Sequence, residues 1–268
     1  MRFRRLSDLE GARGYEATVA ALPEQIPMAR HALAKAFKIS ELVRVIHNDS
    51  YEWYGFTIAR REAPEFVADI GLPANDQNLR DHTGVTAEAI AAYQESLSPD
   101  QVINGWIHSH GKLAYEKFSP VDEENQVAVL DYVTTRLRRP VAKKEILIRD
   151  LTILEKDRWT EKELEPGSVA LITDAPVKEA RIIETIYGGF CYAIVIGDGG
   201  WHKQLIHYRR RGILSGQTTE ESRDTDIVLS GTARRLTEVE IQTLADEVRT
   251  RIRPGVAVPP ERFEREAT

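Results

Sequence analysis

The chain has 268 residues, of which 42% are apolar and 29% charged, and a formal net charge of −6. That length buries a large core in one or two domains, and the acidic balance argues against a general nucleic-acid-binding surface. The single cysteine, Cys191, excludes an internal disulfide and points to a reducing, cytoplasmic setting, while no apolar run reaches the ~20 residues that span a bilayer. "MRFRR" at the start has the charge of a signal-peptide n-region, but "LSDLEGARG" follows where an apolar stretch would be needed. The basic clusters at 136–139 and 209–211 are short and flanked by apolar residues, so they read as solvated faces or strand ends.

In chain order, 1–24 read as an N-terminal arm. Residues 28–45 carry apolar side chains at helical spacing without Gly or Pro, which predicts a helix. The stretch 51–61, "YEWYGFTIARR", is rich in β-branched and aromatic residues and predicts a strand, continued after a turn by 65–72. A polar loop, "NDQNLRDHTG", leads to a helix over 86–97. A strand over 102–110, "VINGWIHSH", then precedes a helix over 119–139 that is stopped at Pro140. "KEILIRDLTILE" and "SVALITD" predict strands on either side of a charged connector, with 140–190 as an insertion. "CYAIVIGDGGWHKQLIHYRR" predicts a hairpin, its Gly-Asp-Gly-Gly supplying positive φ at the turn. The last 51 residues, 218–268, read as a polar linker and an amphipathic helix. That helix opens on the capping-box pattern Thr237-x-x-Glu240, with Leu236, Val239, Leu244, Val248 and Ile252 apolar. Strands and helices without regular alternation predict an α+β layered fold.

The chemistry concentrates in "GWIHSHGKLAYEKFSPVD", 105–122, which holds two of the seven histidines. On a strand, His108 and His110 share a face, and two imidazoles with a carboxylate are a common ligand set for a catalytic zinc. Asp122 lies at the start of the next helix, where Ser119 also suits the N-cap and Pro120 the first helical position. The other histidines lack this pattern. His202 and His207 are five apart on a predicted strand and face opposite sides, and His31, His47 and His82 have no partner at ligand spacing. "GWIHSHGK" fails as a phosphate loop because five residues rather than four separate its glycines.

Glu52-x-x-Gly55, followed by His108-x-His110 and Ser119-x-x-Asp122, resembles the JAMM zinc metalloprotease family, the metal-binding branch of the MPN domain. The motif match covers about 43–140, and the resemblance assigns 25–217 to a JAMM/MPN domain with the 218–268 extension matching nothing in it. It implies a cytidine-deaminase-like central mixed sheet flanked by helices. It further implies that His108, His110 and Asp122 bind Zn2+, that Glu52 activates a water, and that Ser119 helps hold the oxyanion. The implied activity is an isopeptidase or peptidase cutting after the C-terminal tail of a ubiquitin-like protein, from conjugates or a precursor. Gly111 stands where the family often has Pro, and nine residues rather than eight carry the chain from His110 to Ser119. A small-molecule zinc amidohydrolase would need further His and Asp ligands that the chain lacks, and a silent MPN scaffold would be expected to have lost Glu52, a His or Asp122. The apolar stripe of the last helix must be covered by its own core, by a second copy or by a partner, with its own core favoured.

Overall fold

The computed structural model describes residues 18–75, 78, 85–113, 115–149, 179–232 and 234–255. Residues 1–17 of the expected arm (1–24), His82, most of the polar loop, the charged connector, the strand expected at "SVALITD" and the C-terminal tail lie outside the described residues. Within them the protein is mixed α+β, with four helices and a mixed sheet. No helix among the described residues is long and apolar enough to cross a membrane.

The elements run β1 (Ile26–Ala29), α1 (Arg30–His47), β2 (Tyr54–Arg60), β3 (Asp69–Gly71), α2 (Ala87–Ser96), β4 (Gln101–Ser109), α3 (Pro120–Arg136), β5 (Arg139–Arg149), β6 (Glu179–Ile196), β7 (His202–Gly212), β8 (Thr218–Asp224), β9 (Ile227–Ser230) and α4 (Glu238–Arg251). The larger sheet has the order β3-β2-β4-β6-β7-β8, with β5 also paired to β6, and β1 pairs in parallel with β9 in a separate two-stranded sheet. The chain divides into two compact units.

The unit formed by 23–133, 191–207 and 222–268 carries the motif residues. Its centre is β4, antiparallel to β2 on one side and parallel to β6 on the other. A strand flanked on both edges and both faces should be buried throughout, and from Val102 to Ser109 every residue of β4 is, the polar Asn104, His108 and Ser109 included. Trp53, Trp106, Tyr54, Tyr192 and Phe56 are the bulkiest fully buried side chains around it. Trp53 is placed by a buried hydrogen bond from its Nε1 to Ser40 Oγ of α1, at 3.0 Å. The helix α1 presents Ala32, Leu33, Ala36, Ile39, Ser40 and Val43 inward at three- and four-residue spacing. It stops at Asn48, which takes the left-handed conformation at φ 54°.

The expectation that α4 docks on its own core holds: Leu244, Ala245, Val248 and Ile252 are buried, and α4 packs on α1. Its capping box is formed, with the Thr237 side chain accepting from Glu240 N–H and Glu240 accepting from Thr237 N–H. Val239, which the apolar pattern placed on the same stripe, is exposed.

The second unit, 1–22, 134–190 and 208–221, is organised by the antiparallel pairing of β5 with β6 from Arg139↔Gly188 to Arg149↔Glu179. Two elements differ from their sequence expectation. Helix α3 ends at Arg136, and Pro140 lies inside β5, tolerated because the ladder is irregular between Pro140 and Ala142. Its carbonyl accepts from Ala20 N–H at 2.8 Å. The polar stretch expected as a linker from 218 onward instead forms β8, whose seven residues are all exposed. An edge strand facing solvent on both sides has no need of an apolar alternation, so the sequence offers no strand signal there.

Candidate metal centre

The register of β2 against β4 places Tyr54 opposite His108 and Phe56 opposite Trp106. A hydrogen bond from Ser109 N–H to the Trp53 carbonyl, at 2.9 Å, keeps that register one step beyond β2. Because side chains alternate, Glu52 falls on the face that carries His108 and His110. The motif glycine, Gly55, is required by packing: a Cβ there would lie 2.7 Å from the Gly71 carbonyl oxygen. Beyond Ser109, His110 N–H donates to the Ile196 carbonyl at 2.9 Å, so β6 fixes the backbone of the second histidine.

Asp122 arrives from the first turn of α3. Ser119 Oγ accepts from Asp122 N–H at 3.2 Å, and Asp122 Oδ2 accepts from Ser119 N–H at 2.6 Å. The reciprocal cap holds the carboxylate as well as the helix end. Asp122 Oδ1 lies 3.1 Å from His108 Nε2, Oδ2 lies 3.2 Å from His110 Nε2, and the two imidazole Nε2 atoms are 3.1 Å apart. His108, His110 and Asp122 are all buried, at 0%, 2% and 5% exposure. They form the one such group of potential ligands among the described residues.

These residues fit a metal ion. Four-coordinate zinc at bond lengths of about 2.0–2.1 Å separates its ligand atoms by about 3.3 Å, close to the spacings present. His110 Nδ1 is 2.7 Å from the Tyr115 carbonyl, which can only accept, so Nδ1 carries a proton; when the ring is neutral this leaves the lone pair on Nε2, facing the cluster. Two ring nitrogens and a carboxylate facing one point out of water need a proton or a cation between them. His108 Nδ1 is buried and has no hydrogen-bond partner among the described residues.

The electrostatics are those of a cation site. Burial opposes the Asp122 charge, but hydrogen bonds from His108 and His110 outweigh it and hold the carboxyl well below its usual range. Burial lowers the His108 pKa and keeps that ring neutral, the form that ligates metals. For His110 burial also acts downward, yet the bonds to Asp122 and the Tyr115 carbonyl, with the Glu52 charge, raise its pKa. Glu52 is buried at 5% exposure, and its action on His110 places its carboxylate within electrostatic reach of the cluster.

Aromatic rings wall the centre. Trp106 stacks on His108 at 4.5 Å, while Tyr115 and Trp201 flank His110 at 5.9 and 6.0 Å. The structure brings His108, His110 and Asp122 together, with half-buried Ser119 bonded to Asp122 and Glu52 acting electrostatically on His110. The remaining described histidines are elsewhere, with His202 Nδ1 against Gln204 Oε1 and His207 Nδ1 against Ser222 Oγ. Sequence reasoning missed Tyr115 and Trp201, which lie in a loop and at a turn without any distinguishing pattern. It also missed Asn75 and Asn78, both fully buried, which it read as part of a polar loop. No protein-family model matches the chain, and no curated protein matches its sequence.

Proposed function

We propose that this protein is a zinc-dependent hydrolase of amide bonds, of the JAMM/MPN kind, that cuts after the C-terminal tail of a ubiquitin-like protein. The observation that carries the reading is the convergence of His108, His110 and Asp122 on one buried point, with Glu52 on the same face. The reaction class rests on those residues; the ubiquitin-like substrate rests on the family resemblance.

In this reading the two Nε2 atoms and the Asp122 carboxylate hold the ion. An ion held there would supply a water of lowered pKa and a Lewis acid for the scissile carbonyl. Glu52 takes the proton from the attacking water as the new C–O bond forms, then delivers it to the amine as the C–N bond breaks. Ser119 Oγ accepts from Asp122 N–H with its lone pair, which leaves its own O–H to donate to the oxyanion. Tyr115 and Trp201 beside His110 limit the water that reaches the reacting bond. The products are a free carboxylate on the tail and a free amine.

Glu52→Gln tests the assignment of the base. It should retain the metal and bind substrate while hydrolysis of a ubiquitin-like isopeptide falls by about 10²–10⁴-fold. Near-normal turnover would move the base to another residue. If the metal-loaded wild type hydrolyses small amides but no ubiquitin-like fusion, the substrate is wrong and the reaction class stands.

A further inference from the structure

The edge of β2 opposite β4 is completed in an unusual way. Backbone groups facing that edge alternate through Phe56, Tyr54 and Glu52, and β3 covers only the first of them, with Gly71 paired to Phe56. At Tyr54 the side-chain amide of Asn75 stands in for a strand, accepting from Tyr54 N–H at 3.0 Å and donating to its carbonyl at 3.2 Å. At Glu52 the amide of Asn78 takes over, donating from Nδ2 to the Glu52 carbonyl at 2.8 Å and to Asn75 Oδ1 at 2.9 Å. Backbone partners fix the direction of both amides, because a carbonyl can only accept and an N–H can only donate.

The same two asparagines grip the end of α4. Asn75 N–H donates to the Arg251 carbonyl, Asn78 N–H to the Arg253 carbonyl, and Gly255 N–H to the Asn78 carbonyl, at 2.8, 2.9 and 2.7 Å. Arg253 N–H donates to Asn78 Oδ1 at 2.9 Å. Both side chains are at 0% exposure, where an unmet amide would be costly. None of these bonds involves His108, His110 or Asp122.

We propose that Asn78, braced by Asn75, is the positioning residue for Glu52, and that through it the segment after α4 sets the placement of the base independently of the metal ligands. This rests on the hydrolase reading above. Asn78 touches neither metal nor substrate; it acts through the backbone that carries Glu52. A small displacement of a base costs turnover steeply, by about 10²-fold for ~1 Å.

The test uses the full-length protein with Asn78→Asp and, because a buried carboxylate can impair folding, also Asn78→Ala. Asn78→Asp keeps the acceptor for Arg253 N–H and removes both donations. Three quantities are read: zinc per chain, the separate kcat and KM for a ubiquitin-like isopeptide, and amide exchange at Tyr54 against that in β4. The expected result is unchanged zinc and KM, kcat lowered about 10–100-fold, and Tyr54 exchange accelerated about tenfold or more while β4 stays protected. Wild-type kcat, or zinc lost in step with kcat, or unchanged Tyr54 exchange would overturn the proposal and leave the hydrolase reading standing. If wild-type protein cleaves no amide, it is the hydrolase reading that fails. The exchange rates and zinc contents then still decide whether Asn78 holds the Glu52 segment apart from the metal site.

Discussion

Gly111, where the resembling family often has proline, should be intolerant of any side chain. It sits directly after His110 at φ 53°, a left-handed conformation that proline cannot adopt and that costs an ordinary residue about 1–2 kcal/mol. A Cβ there would lie 2.4 Å from Ser50 Oγ. That hydroxyl is buried and donates to Asp198 Oδ2 at 3.1 Å, a carboxylate also paired with Arg44 at 3.2 Å. Pushing Ser50 aside therefore also forfeits a hydrogen bond to a charged group, about 1.5–3 kcal/mol where it is lost outright. Gly111→Ala should destabilise the protein by about 2.5–5 kcal/mol in total if that bond is lost. In a Ser50→Ala background the clash and the bond are already gone, and the same change should cost only the backbone strain, about 1–2 kcal/mol. Urea unfolding of the four proteins of this cycle, followed by tryptophan fluorescence, measures the difference. Equal costs in the two backgrounds, or a Gly111→Ala protein within ~0.5 kcal/mol of wild type, would mean that Ser50 does not bar a side chain at 111.

Glu184 is buried, and its carboxylate accepts from Ser215 N–H and Leu214 N–H and from Ser215 Oγ, which holds its pKa below the usual value. A depressed carboxyl contributes stability that is complete above its unfolded pKa, about 4.3, and is lost as pH falls through the lower folded value. Glu184→Gln should therefore flatten the acid limb of a stability–pH profile, and an unchanged limb would contradict the role. Val248 of α4 is fully buried, so Val248→Ala should lower stability by about 1.5–2.5 kcal/mol in denaturant unfolding, whereas the same change at exposed Val239 should have almost no effect. Similar costs at the two positions would mean that α4 does not dock as described.

The site was legible in the sequence because its signals are local. Two histidines at spacing two on a strand must share a face, and Ser119-Pro120 with Asp122 suits a helix start, so three candidate ligands stand out in the sequence alone. The capping box of α4 was legible for the same reason. The rest depends on partners distant in sequence. Asn75 and Asn78 look like loop residues because asparagine favours turns, and only the 251–255 segment makes them part of the sheet edge. The parallel pairing of β1 with β9 joins residues about two hundred positions apart. In β8 no face is buried, so the hydrophobic pattern that reveals strands is missing.

The central claim is that His108, His110 and Asp122 hold a metal ion, and metal content measures it most directly. Protein purified without added metal and analysed for elements should carry about one equivalent of zinc per chain. His108→Ala/His110→Ala should carry none, while Glu52→Gln and Asn78→Ala should keep theirs. Full retention in the double histidine variant, or equal loss in Glu52→Gln, would contradict the account.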